Sequence, residues 1–238
     1  MTRIAWFRVL AALVLVLGTA ACETIFVRAQ TSQPAGSSSS SSSAPSSRQV
    51  KKSASGADSK LDSGVVSNGV YHNSAFGFAC KIPAGWVLRT EEMNRQQGED
   101  EEADAGKKAT DAGRVLLAAF SRPPEALGED VNASILIAAE SATAYPGLKS
   151  AAQYFGPLGE VANARGFAVV EEPYEFAIGT RTVVRGDFKK DVGSRVMRQS
   201  TLVVLARGYA VSFTFIGGSE DDVEELVRGL SFVAPRAK

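Results

Sequence analysis

Histidine and cysteine are almost absent from this 238-residue chain, which has one of the first and two of the second. That inventory excludes a zinc site of the usual Cys/His makeup and a disulfide-stapled scaffold. An excess of one charge sign is lacking too. Lys and Arg number 26 and Asp and Glu 26, so bulk positive charge cannot drive binding to nucleic acid. No apolar run reaches the ~20 residues needed to cross a bilayer. No Walker, Rossmann, HExxH or GxSxG pattern occurs, which removes the common phosphate-binding, dinucleotide, metalloprotease and serine-hydrolase signatures.

What is present begins with an export pattern. Arg3 and Arg8 precede a 13-residue uncharged stretch, Val9 to Ala21, the size of a signal-peptide hydrophobic region and too short to span ~30 Å of hydrocarbon. Two ends are open. Residues 19–22 (TAAC) resemble a bacterial lipobox, which makes residues 1–21 the signal and Cys22 the candidate lipidation site and membrane anchor. Alternatively, cleavage follows Ala29. If Cys22 is lipidated or removed, Cys80 is the only remaining thiol. Loss of residues 1–21 leaves 24 basic against 26 acidic residues. The expected location is outside the cytosol, as a periplasmic or membrane-tethered lipoprotein or a secreted protein.

Residues 22–66 read as a disordered linker, with seven consecutive serines at 37–43. Such a composition cannot bury enough apolar area to offset its backbone entropy. The folded domain is expected over residues 67–235. Phe76 to Ile82 and Trp86 to Arg89 read as strands around a turn at 83–85, and the polar, acidic stretch 96–113 reads as a mobile loop. Arg114 to Ser121 and Ala133 to Glu140 are continuous apolar runs of strand length, the pattern of strands covered on both faces. Ala151, Tyr154, Phe155, Leu158, Val161 and Ala162 make a helical stripe that Gly156-Pro157 should kink or divide. From Tyr174 the apolar period changes from 3.6 to 2, with turn signals at Gly179, 192–194 and 207–208, so an antiparallel meander follows. Ser219 is a good N-cap for a last helix striped by Val223, Leu226, Val227 and Leu230.

Residues 69–78 (GVYHNSAFGF), 82–86 (IPAGW), 207–215 (RGYAVSFTF), 219–222 (SEDD) and 230–232 (LSF) resemble PsbP-like domains over roughly residues 68–235. The resemblance implies an α+β fold, an α/β/α sandwich around a central, mainly antiparallel sheet. Members of that family mostly act as binding or assembly modules rather than enzymes. It implies no cofactor and carries over no functional residue.

Candidate chemistry is thin. Cys80 and His72 are the one conceivable nucleophile and base in the folded part, but Cys80 alternates with Phe78 and Ile82 on an apolar face and reads as buried. The acidic run 99–104 departs from an EF-hand loop and reads as solvated. Glu171, Glu172 and Glu175 read as a strand edge rather than an acid/base pair. The Gly217-Gly218-Ser219 turn fails as a phosphate cradle, because three acidic residues follow it. A local basic cluster remains: Arg181, Arg185, Lys189, Lys190, Arg195 and Arg198 lie within 18 residues, opposed by Asp187 and Asp191. It is the candidate contact site for an anionic partner, either an envelope surface or an unknown envelope protein. The expectation is a non-enzymatic binding or scaffolding module of the cell envelope. The alternatives are an enzyme whose site assembles only in three dimensions and a structural envelope protein.

Overall fold

The computed structural model describes residues 61–103, 113–123, 126, 128 and 130–232, with side chains left undescribed at 98–103. The signal, Cys22 and nearly all of the serine-rich segment lie outside these residues. In chain order the strands are β1 (Val65–Ser67), β2 (Val70–Asn73), β3 (Phe78–Lys81), β4 (Val87–Leu88), β5 (Gly113–Phe120), β6 (Ser134–Ser141), β7 (Ala168–Val169), β8 (Tyr174–Ile178), β9 (Arg181–Val192), β10 (Arg195–Ala206), β11 (Tyr209–Gly217) and β12 (Leu230–Phe232). The helices are α1 (Thr90–Ala103), α2 (Ala151–Ala164) and α3 (Glu220–Arg228). The first strand starts at Val65, two residues inside the stretch expected to be linker.

Eight strands form one antiparallel sheet in the order β4-β5-β6-β11-β10-β9-β7, with β8 also paired to β9. Its register explains the burial. Phe213 opposes Ile137 and Leu202, while Thr214 opposes Leu136 and Thr201. One face therefore carries Ile137, Leu202 and Phe213, and the other Leu136, Thr201 and Thr214. All six are buried, so the central strands need a layer on each side.

On the Leu136 face, α1 brings Met93 onto Val115, Ala118, Phe120, Leu136 and Ala138. Beside it, α2 places Tyr154, Phe155, Leu158 and Ala162 against Phe188, Met197, Val203, Ala210 and Ile216. Helix α2 is one continuous element with Pro157 inside it, so the expected division into two short helices does not occur. It stops before Gly166, whose φ of +80° suits a residue without Cβ. On the Phe213 face a four-stranded sheet, β1-β2-β3-β12, packs with α3. Phe78 and Phe232 set their rings edge-on to Phe213, at centroid distances of 4.8 and 5.8 Å, the favoured geometry for aromatic pairs. The fold is α+β with antiparallel sheets. Its second outer layer is shared between one helix and a second sheet, which the expected single central sheet did not include.

Two corrections concern local structure. The stretch read as a loop from residue 96 is helical through Ala103. Its register is set from outside: Asn94 Nδ2 donates to the Val115 carbonyl at 2.9 Å, Asn94 Oδ1 accepts from the Val115 N–H at 3.0 Å, and Thr90 Oγ1 accepts from the Ala118 N–H at 2.9 Å. These side chains stand in for a strand partner where β5 bulges between Val115 and Leu117. Leu230 is buried from strand β12 rather than from the last helix. The turns match the sequence pattern. Arg207-Gly208 and Asn68-Gly69 both have positive φ at two central residues, the mirror-image turn that matches strand twist.

Gly186 lies directly under α2, where an added Cβ would lie 2.5 Å from the Phe155 ring. Gly186→Ala is expected to cost about 1–3 kcal/mol in denaturant unfolding. The double variant with Phe155→Leu should lose less than the sum of the single changes, because the contact is shared.

Candidate partner-binding surface

The pleat divides the basic cluster. Arg181, Arg185, Lys189 and Arg198 lie on the sheet face that carries α3, whereas Lys190 and Arg195 lie on the α2 face. Length divides it again. Arg181 and Lys189 stand eight residues apart on β9, about 27 Å at ~3.4 Å per residue. Arg181 sits at the β8–β9 turn with its guanidinium 5.8 Å from the Phe232 ring. The six cations do not form one patch.

Arg185 is nearly buried and fully engaged. Its Nε donates to Asp187 at 3.0 and 3.1 Å, an Nη binds Glu224 of α3 at 2.5 Å, and the guanidinium lies 5.0 Å from the Phe176 ring. Burial alone would lower its pKa, but hydrogen bonds and charge from Glu224 and Asp187 outweigh that and raise it. Tyr174 Oη donates to the same Asp187 at 2.9 Å. Arg198 binds Glu220 at 2.8 Å. A groove of about 360 Å³ lies over these groups, lined also by Glu171 and Asp221. Two arginines there face five carboxylates. The middle of the expected basic surface is thus an ion network joining α3 to β9 and β10, with an acidic rim.

The end of the β9–β10 hairpin is different. Strand β11 pairs with β10 only from Arg198 onward, and β7 reaches β9 at Phe188 and Lys189. Residues 190–197 therefore project without a lateral strand. Val192 and Arg195 are exposed there, half-buried Lys190 lies 5.7 Å from the Phe167 ring, and exposed Lys189 precedes the stretch, opposite Ala168 of β7. Among the described residues Lys189, Lys190 and Arg195 have no ion-pair partner.

The other sequence candidates are also placed. His72 opposes Ala79, and Tyr71 opposes Cys80, so His72 and Cys80 point to opposite faces of their sheet. Cys80 is fully buried, and desolvation pushes its thiol up to about 12. Glu171 and Glu172 are exposed beyond β7 and Glu175 is exposed on β8. The side chains of the acidic run 99–104 lie outside the described residues, and no group of three metal-ligating side chains occurs among the described ones. Sequence reasoning missed Glu140, a buried carboxylate on β6 that accepts a hydrogen bond from Tyr145. Its lone charge at the end of an apolar run was the available signal. No described helix is long and apolar enough to cross a membrane.

No protein-family profile matches the chain, and no curated protein matches it. Solved structures with a similar fold include the cyanobacterial PsbP (CyanoP) of Synechocystis sp. PCC 6803, at 14% identity and TM-score 0.41, covering 75% of this chain and 98% of that one. The Ran-binding protein Mog1p of Saccharomyces cerevisiae matches at 12% and 0.37, covering 69% and 94%. LpqN of Mycobacterium tuberculosis, involved in cell envelope biogenesis, matches at 13% and 0.32, covering 54% and 83%. Likenesses of this size carry no argument about function and place the chain in no family.

Two measurements follow from this chemistry. Burial, and for Tyr174 also Asp187, raises Tyr71 and Tyr174 to about 12, against ~10 in the unfolded chain. A raised folded pKa stabilises fully below pH ~10 and ceases to do so as pH rises through about 12. Ultraviolet titration should show these two phenols ionising only above pH 11, with unfolding stability declining across the same interval. In a Cys22→Ser chain, Cys80 should be silent to a thiol reagent under native conditions and react on denaturation.

Proposed function

We propose that the chain is an exported, non-enzymatic binding module of the cell envelope that engages an anionic surface through the tip of the β9–β10 hairpin. The observation that carries this reading is the projecting tip: Lys190 and Arg195 lie on the unflanked stretch 190–197, Lys189 stands at its base on the opposite face, and the one carboxylate of that stretch is Asp191. Cations so displayed raise the local concentration of anionic partners. The reading of Arg181, Arg185 and Arg198 changes accordingly. Arg185 and Arg198 hold α3 in place, and Arg181 is remote from the tip.

Support for a non-enzymatic role comes from the two reactive side chains: Cys80 is sealed in an apolar layer and His72 faces away from it. Export rests on the Arg3/Arg8 n-region and the uncharged stretch after it, and a lipid on Cys22 would supply the anchor. Assignment to PsbP-like α/β/α sandwiches belongs to the same proposal. It rests on residues 69–78 and 207–215, which fall on the β2–β3 and β10–β11 hairpins.

The test is co-sedimentation of the Cys22→Ser chain with vesicles containing phosphatidylglycerol. At about 1 kcal/mol per basic residue near such a surface, the triple charge reversal Lys189→Glu/Lys190→Glu/Arg195→Glu should weaken retention at least about tenfold, while Arg181→Glu leaves it unchanged. Equal retention of the triple variant and the parent chain would refute the proposal.

A further inference from the structure

A second groove, of about 720 Å³, lies between β1 and the start of α1, within the roughly 300–1,000 Å³ typical of ligand sites. We infer that it takes an extended acidic segment of a partner protein by strand addition to β1. The inference is independent of the hairpin tip, which belongs to the other sheet.

Strand β1 is the edge of the four-stranded sheet, and among the described residues no strand pairs with its outer side. It pairs with β2 as Val65 to His72, Val66 to Tyr71 and Ser67 to Val70. The two-residue turn makes Ser67 and Val70 the hydrogen-bonded pair, and antiparallel pairs alternate. Val66 therefore aims its N–H and C=O outward, toward an incoming strand. Natural edges are guarded by charge, proline or a covering element. Residues 65–67 (VVS) have none of the first two, and Val65 and Val66 are 67% and 40% exposed.

The groove beside this edge has two characters. Val66 and Leu88, the latter 47% exposed, form an apolar ledge over buried Tyr71 and Leu116. Arg95 and Arg114 supply positive charge, and neither has an ion-pair partner among the described residues. Arg114 stands near enough to Tyr71 to favour its phenolate. Glu91 and Glu92 also line the groove, but Glu92 is bound to Arg89. An extended segment opposite Val66 presents alternate side chains to the groove. Apolar side chains would rest on the ledge, and a carboxylate would meet the arginines. The exposed edge at Val169 lacks this complementarity, because the groove next to it is lined by carboxylates whose arginines are already bound.

The experiment is fluorescence anisotropy of the labelled heptapeptide SVTETVS with the full chain, the neutral peptide SVTQTVS serving as control. Binding of the acidic peptide is expected, weakened about tenfold by the Glu-to-Gln change in the peptide and by Arg114→Glu in the protein. Val66→Pro removes the outward N–H and replaces one side chain of the ledge without touching the β1–β2 ladder, and should abolish binding while leaving the circular dichroism spectrum unchanged. Absence of binding, or equal binding by the parent, Val66→Pro and Arg114→Glu chains, would overturn the inference. So would sedimentation showing a dimer that Val66→Pro dissociates, since β1 would then serve a second copy of the chain.

Discussion

Double-sided burial of β6, β10 and β11 is the constraint on which the rest depends. Strands with Ile137, Leu202 and Phe213 on one face and Leu136, Val203 and Ile216 on the other cannot leave either face to water. At about 25 cal/mol per Å² of apolar surface removed from water, each uncovered aromatic or branched side chain would cost a large part of a domain's marginal stability. The chain meets this with helices α1 and α2 on one side. On the other side it uses its two ends, the β1–β3 strands from the start of the domain and α3–β12 from its finish.

That solution creates an electrostatic problem, and its resolution shapes the surface. Helix α3 is amphipathic, with Val223, Leu226 and Val227 buried and acidic residues outward. It settles beside strands rich in arginine, so Arg185 and Arg198 become partners of Glu224 and Glu220. Breaking a nearly buried pair leaves an uncompensated charge, which is why such pairs hold elements in register more than they add net stability. Of the cations left over, Lys189, Lys190 and Arg195 lie toward the hairpin tip and Arg181 at the opposite end of β9. Placement of the candidate surface is thus a consequence of how the second face is covered.

Much of the fold was legible because alternation at Tyr209, Val211, Phe213 and Phe215, two-residue turns and the Ser219 cap are local signals. Ser219 Oγ accepts from the Asp222 N–H at 3.1 Å, as its type and position require. Helix α1 was not legible, because Asn94 fixes it through a backbone contact 21 residues away and, among its described side chains, only Met93 enters the core cluster. The candidate site was legible as a count of cations but not as a surface. Strand alternation was enough to separate Lys190 from Lys189. The neutralisation of Arg185 required Glu224, 39 residues distant, and no spacing rule brings those two together.

If the first and last segments of the domain complete the core, α3 and β12 cannot open without exposing the aromatic cluster of Phe78, Phe213 and Phe232. Native-state hydrogen exchange across a denaturant series measures this directly. Protected amides in α3 and β12 are expected to exchange with the same opening free energy as those of β10 and β11, in one cooperative unit. Exchange of α3 and β12 through a low-energy opening that leaves β11 protected would contradict the account.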